Sequence, residues 1–261
     1  MGDMTLSRDS KYAEYEKLLS ERDEVMVEAD RIWLGYLRNF GKLTSDIYEE
    51  KLECIKCKKI IAYYQNAINH GGKVDSAQME KFLNNEMAGY YAHLERLIKD
   101  NKNAQNAKGL TAYEEKRSKE LYFRLVKLLH PDLHPETDRS AILQDLWQRI
   151  QIAYHQCNIK ELSELEVLTR KALNELGIEG GKADIPDIDD KIEELKAEIY
   201  DITHTEPYIL RYLMENEKAV EARTAELNAE LEEYQEYHKQ LEDVIIELVK
   251  TGGLKFYVKG K

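Results

Sequence analysis

The chain has 261 residues, of which 43% are hydrophobic and 34% charged, and its net charge is −12. It contains only four prolines and thirteen glycines, so long helices are expected and turn-rich β folds are disfavoured. No run of about 18 apolar residues could span a membrane, the start lacks a signal-peptide core, and three cysteines do not suggest a disulfide framework. We therefore expect an all-α, cytoplasmic protein.

The acidic charge is concentrated in one segment. Residues 187–250 contain 19 acidic and 7 basic side chains, a net charge of −12, whereas residues 1–186 carry −3 and residues 251–261 carry +3. An acidic segment of this kind repels nucleic acid and anionic lipid, because both bind through lysine and arginine. We therefore expect neither a nucleic-acid partner nor a membrane partner.

An N-terminal helical region is predicted over residues 1–105. Its apolar residues recur with helical spacing, for example at Val25, Ile32 and Tyr36. The predicted helices cover 8–39, 44–70 and a third span that opens at Asp75 or Ser76. Gly41 and the pair Gly71-Gly72 mark the predicted ends of the first two. Short turns between them predict an antiparallel bundle or a pair of hairpins.

A helical hairpin with a bracing helix is predicted over residues 110–177. Thr111 and Glu114 have the spacing of a capping box, which predicts a helix from about 112 to 129. The helix must stop there, because Pro131 lacks an N–H and disfavours helical geometry in the preceding residue. Two further helices are predicted at 141–156 and 158–176.

The tripeptide His130-Pro131-Asp132 lies at the corner of this hairpin. The simplest interpretation is a helix stop followed by a polar loop. His130 falls at the helix C-terminus, where the dipole favours a cation, and Asp132 follows in a loop that can be exposed. We expect the imidazole and the carboxylate to point outward at the bend.

The sequence around this corner resembles the J-domain of DnaJ-type co-chaperones. In that family a helix with Tyr-basic-basic-Leu-Ala runs into His-Pro-Asp and Asn-Pro, and the next helix reads Phe-x-x-Ile-x-x-Ala-Tyr. Here His134-Pro135 stands at the Asn-Pro position, and Trp147 replaces phenylalanine. The resemblance covers residues 112–156. The other matching positions are Tyr122, Arg124, Leu125, His130, Pro131, Asp132, Ile150, Ala153 and Tyr154.

The resemblance implies a partner. It implies that a basic face on the first helix docks on the ATPase domain of a DnaK-type chaperone, and that the tripeptide contacts this domain and promotes ATP hydrolysis. Residues 112–129 contain five cations against three glutamates, and a local basic face can orient docking onto an acidic partner. The candidate chaperone-binding residues are His130, Pro131, Asp132, Arg124, Lys127 and Lys119.

The chain departs from the family pattern at three places. The family's short first helix, with Asp-Tyr-Tyr-x-x-Leu-Gly, is not visible before residue 111. Leu133 stands where a lysine usually follows the aspartate, and Leu128 replaces a usual basic residue. Such a hairpin needs other elements to brace it, and the helix at 158–176 is the candidate. The alternative is a structural or oligomerising coiled-coil protein with a relic, non-functional HPD motif.

An acidic coiled-coil hairpin is predicted over residues 186–250. A helix with apolar residues from Ile188 to Ile202 precedes a break at 204–207, and a heptad seam follows. The seam residues are Leu213, Val220, Leu227, Tyr234, Leu241 and Leu248. The longer arm needs another partner, either an upstream helix or a second copy of the chain, so a homo-oligomer is possible. The tail, 251–261, alternates like a short strand at 254–258.

The sequence contains little that suggests catalysis. Cys54 and Cys57 form a Cys-x-x-Cys pair, but they lie within a predicted helix among lysines, and a zinc site would need four ligands. Nucleophile motifs, phosphate-binding loops and carboxylate clusters are absent from the sequence. We therefore expect no enzyme activity, no metal and no cofactor. The combined prediction is an elongated all-α protein built from helical hairpins.

Overall fold

In the computed structural model, the backbone is described for residues 2–70, 74–107, 109–178 and 185–251, and side chains are described from residue 10 to residue 250. Within these ranges the chain forms nine α-helices and one 3₁₀ turn, and it forms no strand. The all-α prediction is confirmed. No helix there combines the length and apolarity needed to cross a membrane. The predictions made at Gly71-Gly72 and in the tail at 252–261 lie outside the described residues.

The helices have the following bounds. They are α1 (Gly2–Asn69), α2 (Ser76–Asn106), α3 (Ala112–Leu129), α4 (Glu136–Arg139), α5 (Ala141–His155), α6 (Ile159–Glu175), α7 (Ile188–His204), α8 (Arg211–Met214) and α9 (Glu217–Thr251), with the 3₁₀ turn at Tyr208–Leu210.

The predicted break between two N-terminal helices is wrong, because α1 runs unbroken from Gly2 to Asn69. Ser45 lies within the helix, and its hydroxyl donates back to the carbonyl of Gly41, 2.8 Å away, instead of capping a new helix. A Cβ at Gly41 would approach the side chain of Asn101 to 2.9 Å. The glycine therefore permits a close approach of α2 and does not end the helix.

The chain divides into two compact units, which differ from the predicted segments. The first unit comprises Met1–Ile32 and Lys108–Leu210, and the second comprises Trp33–Ala107 and Arg211–Lys261. The predicted regions 1–105 and 186–250 are thus each divided between the units. The reason is that α1 supplies its first half to one core and its second half to the other.

The first unit is built on the antiparallel pair of α3 and α5, and α6 packs against both. Across the pair, the rings of Tyr122 and Tyr154 stack with their centroids 3.9 Å apart. The predicted capping box is present, since the Glu114 N–H donates to Thr111 and the Glu114 carboxylate accepts from the Thr111 N–H. The helix α6, which was predicted to brace the hairpin, packs against both of its helices.

Two further helices complete this core. The apolar residues of α1 and α7 join the cluster formed by α3, α5 and α6, namely Tyr12, Tyr15, Leu18, Leu19, Val27, Ile192 and Leu195. Residues of α1 contact residues of α3 in reverse order, so these helices are antiparallel. The bracing from α1 was not predicted, and it determines the environment of the hairpin tip.

In the second unit, α2 and α9 both pack against the rest of α1. Here α2 runs antiparallel to α1, with Tyr48 beside His93 and Tyr63 beside Phe82. The seam of α9 runs parallel to α1, because Leu227 clusters with Phe40 and Ile47, whereas Leu241 clusters with Cys54 and Cys57.

The predicted antiparallel hairpin of residues 186–250 is corrected by these contacts. In the described part of the chain, the apolar residues of α7 and α9 belong to separate clusters: Ile192 and Leu195 lie in the first unit, and Leu227 and Leu241 lie in the second. Each helix buries its apolar face on α1. The sequence had left an upstream helix open as the partner of the seam.

Truncation of the seam should destabilise the second unit. Leu227 is 3% exposed, so Leu227→Ala leaves a cavity and should lower the free energy of unfolding by about 3 kcal/mol. Ile246→Ala on the same helix is the control, because Ile246 is 47% exposed and should cost less than about 1 kcal/mol. Urea unfolding followed by circular dichroism measures both. Equal effects of the two substitutions would contradict the assigned seam.

Candidate docking site

The tip of the hairpin is a tight, hydrogen-bonded turn. α3 ends at Leu129, and the N–H of His130 still donates to the carbonyl of Val126, 2.9 Å away. The carbonyl of His130 then accepts from the N–H groups of Leu133 and His134, at 2.9 and 2.8 Å. The side chain of Leu133 is fully buried. Leu133 therefore anchors the turn in the core.

His130 faces the core, which corrects the expectation that its imidazole points outward. The residue is 5% exposed, and its ring meets the ring of Trp147 edge-on at 5.0 Å between centroids. Its Nδ1 accepts a hydrogen bond from the backbone N–H of Asp132, 3.1 Å away. Burial lowers the pKa of His130, although the charges of Asp132 and Asp23 oppose this shift. His130 therefore holds the backbone of the tip.

Asp132 points outward, as predicted. Its side chain is 45% exposed, and its Oδ2 lies 4.0 Å from Nδ1 of His130, too far for a hydrogen bond. The hydroxyl of Tyr15 on α1 donates to the same oxygen at 3.2 Å. Burial and the negative charge of Asp132 raise the pKa of Tyr15, which keeps the hydroxyl protonated as a donor. The tip therefore presents one carboxylate in a fixed position.

The second His-Pro dipeptide closes the end of α3. His134 is buried, and its Nε2 donates to the carbonyl of Lys127 at 2.8 Å, because a carbonyl oxygen can only accept. This bond satisfies one of the carbonyls that a helix C-terminus leaves unpaired. His134 thus has a local structural role beside the tip.

All three predicted docking cations of α3 are paired within the first unit. Their partners lie on α1 and α6. The pairs are Lys119 with Glu24, Lys127 with Glu16 at 2.5 Å, and Arg124 with Glu166 through two bonds of 3.0 and 2.8 Å. The hydrogen bond from Arg124 holds the pKa of Glu166 below its ordinary value. The cations are therefore on the surface, but their charge is largely balanced.

A shallow groove runs along the exposed face of α3. It has a volume of about 490 Å³, and Lys116, Lys119, Glu120, Phe123 and Arg124 line it. The ammonium group of Lys127 lies 5.2 Å from the centre of the Phe123 ring. The groove combines cations with one aromatic side chain, which is a composition suited to an acidic protein surface.

The remaining positions of the family pattern lie inside the hairpin. All are buried: Tyr122, Leu125, Trp147, Ile150, Ala153 and Tyr154. These residues pack α3 against α5, so the pattern match is largely a match of packing. Of the matching positions from Tyr122 to Asp132, Arg124, Pro131 and Asp132 are the ones not buried.

The residues of α1 that surround the tip were not identified from the sequence. Tyr15 contacts Asp132, and Asp23 accepts a hydrogen bond of 2.6 Å from the hydroxyl of Tyr122. They lie about a hundred residues before the hairpin, and local periodicity does not indicate such a pairing. The one available signal was the apolar face of α1, which required some partner.

The two cysteines of the Cys-x-x-Cys pair are packing residues. Both are buried on α1 against Leu241, and the thiol of Cys54 lies 3.6 Å from the carbonyl oxygen of Tyr234. Burial raises the pKa of Cys57 to about 11, which disfavours the thiolate. Among the described side chains, no cluster of three potential ligands is arranged to hold a metal ion.

Comparison with known proteins returned no match to a family model, to a curated protein or to a solved structure. The resemblance to the J-domain stays a prediction from the sequence.

Acidification should destabilise the first unit through His130. Because burial lowers the folded-state pKa, the unfolded chain binds the proton first once the pH falls below the ordinary value of 6.5. The contribution of the neutral imidazole is complete above that pH and is lost below it, by up to about 1.4 kcal/mol per pH unit.

Urea unfolding of the wild type and of His130→Gln at about pH 7.5 and about pH 5.5 tests this effect. The wild type should lose more stability than the variant between the two conditions. An identical loss in both chains would show that His130 does not titrate on unfolding.

Proposed function

We propose that this protein is a DnaJ-like co-chaperone or adaptor that engages the ATPase of a DnaK-type chaperone through the tip of the α3–α5 hairpin. The observation that carries the proposal is the outward, fixed carboxylate of Asp132 at a tip that also contains His130 and Pro131. A preorganised charged group loses little entropy on binding, so it suits a contact that must be reached in one orientation.

The groove on α3 supports a second contact with the same partner. Lys116, Lys119 and Arg124 bring cations to it, of which Lys119 and Arg124 are paired with carboxylates, and Phe123 supplies apolar surface. A basic surface of this kind steers an acidic partner and fixes its orientation. In this proposal His130 does not contact the chaperone. It positions Asp132, because its Nδ1 accepts a hydrogen bond from the Asp132 backbone N–H.

The proposed contact predicts that Asp132→Asn abolishes most of the stimulation of chaperone ATP hydrolysis. The substitution keeps the side-chain shape and an acceptor for Tyr15 but removes the charge, so the fold should persist while stimulation falls about tenfold. Single-turnover ATPase rates of a purified DnaK-type chaperone, with and without the protein, provide the measurement. Asp138→Asn is the matched control, because Asp138 is an exposed acid in the adjacent helix α4.

Two outcomes would count against the proposal. Stimulation by Asp132→Asn at the wild-type level would exclude the tip carboxylate as the contact, and an equal loss in Asp138→Asn would indicate an unspecific effect of charge. His130→Gln should reduce stimulation and stability together, because it acts through the turn.

A second candidate is a structural coiled-coil protein in which the tripeptide serves only the fold. The internal pairing of Lys119, Arg124 and Lys127 and the burial of His130 favour it. Oligomerisation through the heptad seam is less favoured, because α1 already covers Leu227 and Leu241. A wild-type chain that leaves the chaperone ATPase rate unchanged would support this candidate.

A further inference from the structure

Two lysines of α3, one of which lines the groove, contact carboxylates of α1. Lys127 pairs with Glu16 at 2.5 Å, and Lys119 pairs with Glu24. Both lysine side chains are about half exposed, at 48% and 50%, so each ammonium group can exchange its partner by rotation of its own side chain. α1 itself cannot leave readily, because Leu19 on the same helix is fully buried in the core.

We infer that Glu16 and Glu24 regulate docking by acting as an intramolecular acidic surface that competes with the acidic partner for Lys127 and Lys119. This inference rests on the proposed function. When an acidic partner takes over the two lysines, the carboxylates of Glu16 and Glu24 are left close to the partner's own acids. The resulting like-charge repulsion opposes docking and weakens its electrostatic steering.

The same helix also contacts the tip. Tyr15, which directly precedes Glu16 in the chain, donates its hydroxyl to Asp132. A single turn of α1 thus engages both the acid of the tip and one of the cations behind it. The docking strength of the hairpin is set by α1 through exchangeable polar contacts, whereas the fold depends on its apolar face.

Neutralising the two carboxylates should strengthen docking. Glu16→Gln/Glu24→Gln should bind an ATP-loaded DnaK-type chaperone roughly threefold to tenfold more tightly than the wild type, mainly through a faster association rate. The gain should largely vanish at about 0.5 M salt, because the effect is electrostatic. Surface plasmon resonance with the full chain immobilised measures the rates, and circular dichroism verifies that helix content is unchanged.

The matched control is Glu14→Gln/Glu21→Gln. It removes two charges from the same helix, but on another face, where Glu14 pairs with Lys196 of α7 at 3.1 Å. A gain confined to Glu16→Gln/Glu24→Gln supports the inference, including the case in which only this variant binds. An equal gain in affinity for the control would show that the effect comes from the overall charge of the chain, and it would overturn the inference.

The failure of the inference can be separated from the failure of the proposed function. Wild-type docking that Glu16→Gln/Glu24→Gln leaves unchanged would overturn only the inference. Absence of binding by every chain would overturn both. An oligoglutamate peptide provides a probe that is independent of the chaperone, and its affinity should rise in Glu16→Gln/Glu24→Gln alone. Equal affinity for all chains would contradict competition at the lysines.

Discussion

The reversal of the chain at Pro131 is the constraint on which the first unit depends. Without its N–H, proline ends α3, and the buried side chain of Leu133 holds the turn in the core while α5 packs back along α3. The two polar side chains of the tripeptide point in opposite directions at this turn. His130 takes the inward position, under Trp147, and Asp132 takes the outward one.

The same helix that stabilises this hairpin also balances its charge. The apolar face of α1 completes the core, and its polar residues extend beyond the core to contact Asp132, Lys127 and Lys119. Glu24 is partly exposed, whereas the Glu16 side chain is only 18% exposed beneath Lys127.

Local signals in the sequence predicted local structure well. The helix cap at Thr111 and the stop before Pro131 were predictable, because a residue within three positions determines each of them. Gly41 was misjudged, since its role is to admit Asn101 of another helix. In a sequence, a glycine that ends a helix looks the same as a glycine that admits a neighbouring helix, and only the packing distinguishes the two roles.

Long-range structure was less predictable. The heptad seam of α9 was evident, but the sequence did not decide among its possible partners, and α1 proved to be the one. The orientation of His130 was predicted incorrectly, because a histidine at a helix C-terminus is more often solvated and charged, and its burial depends on Trp147. The contacts of Asp132 and Lys127 with α1 required knowledge of that helix's position.

Hydrogen–deuterium exchange of the full chain, with and without an ATP-bound DnaK-type chaperone, tests docking at the tip most directly. We expect slower exchange in peptides that cover residues 130–135 and α3, with unchanged exchange in α9. Unaltered exchange at residues 130–135 in the presence of saturating chaperone would contradict it.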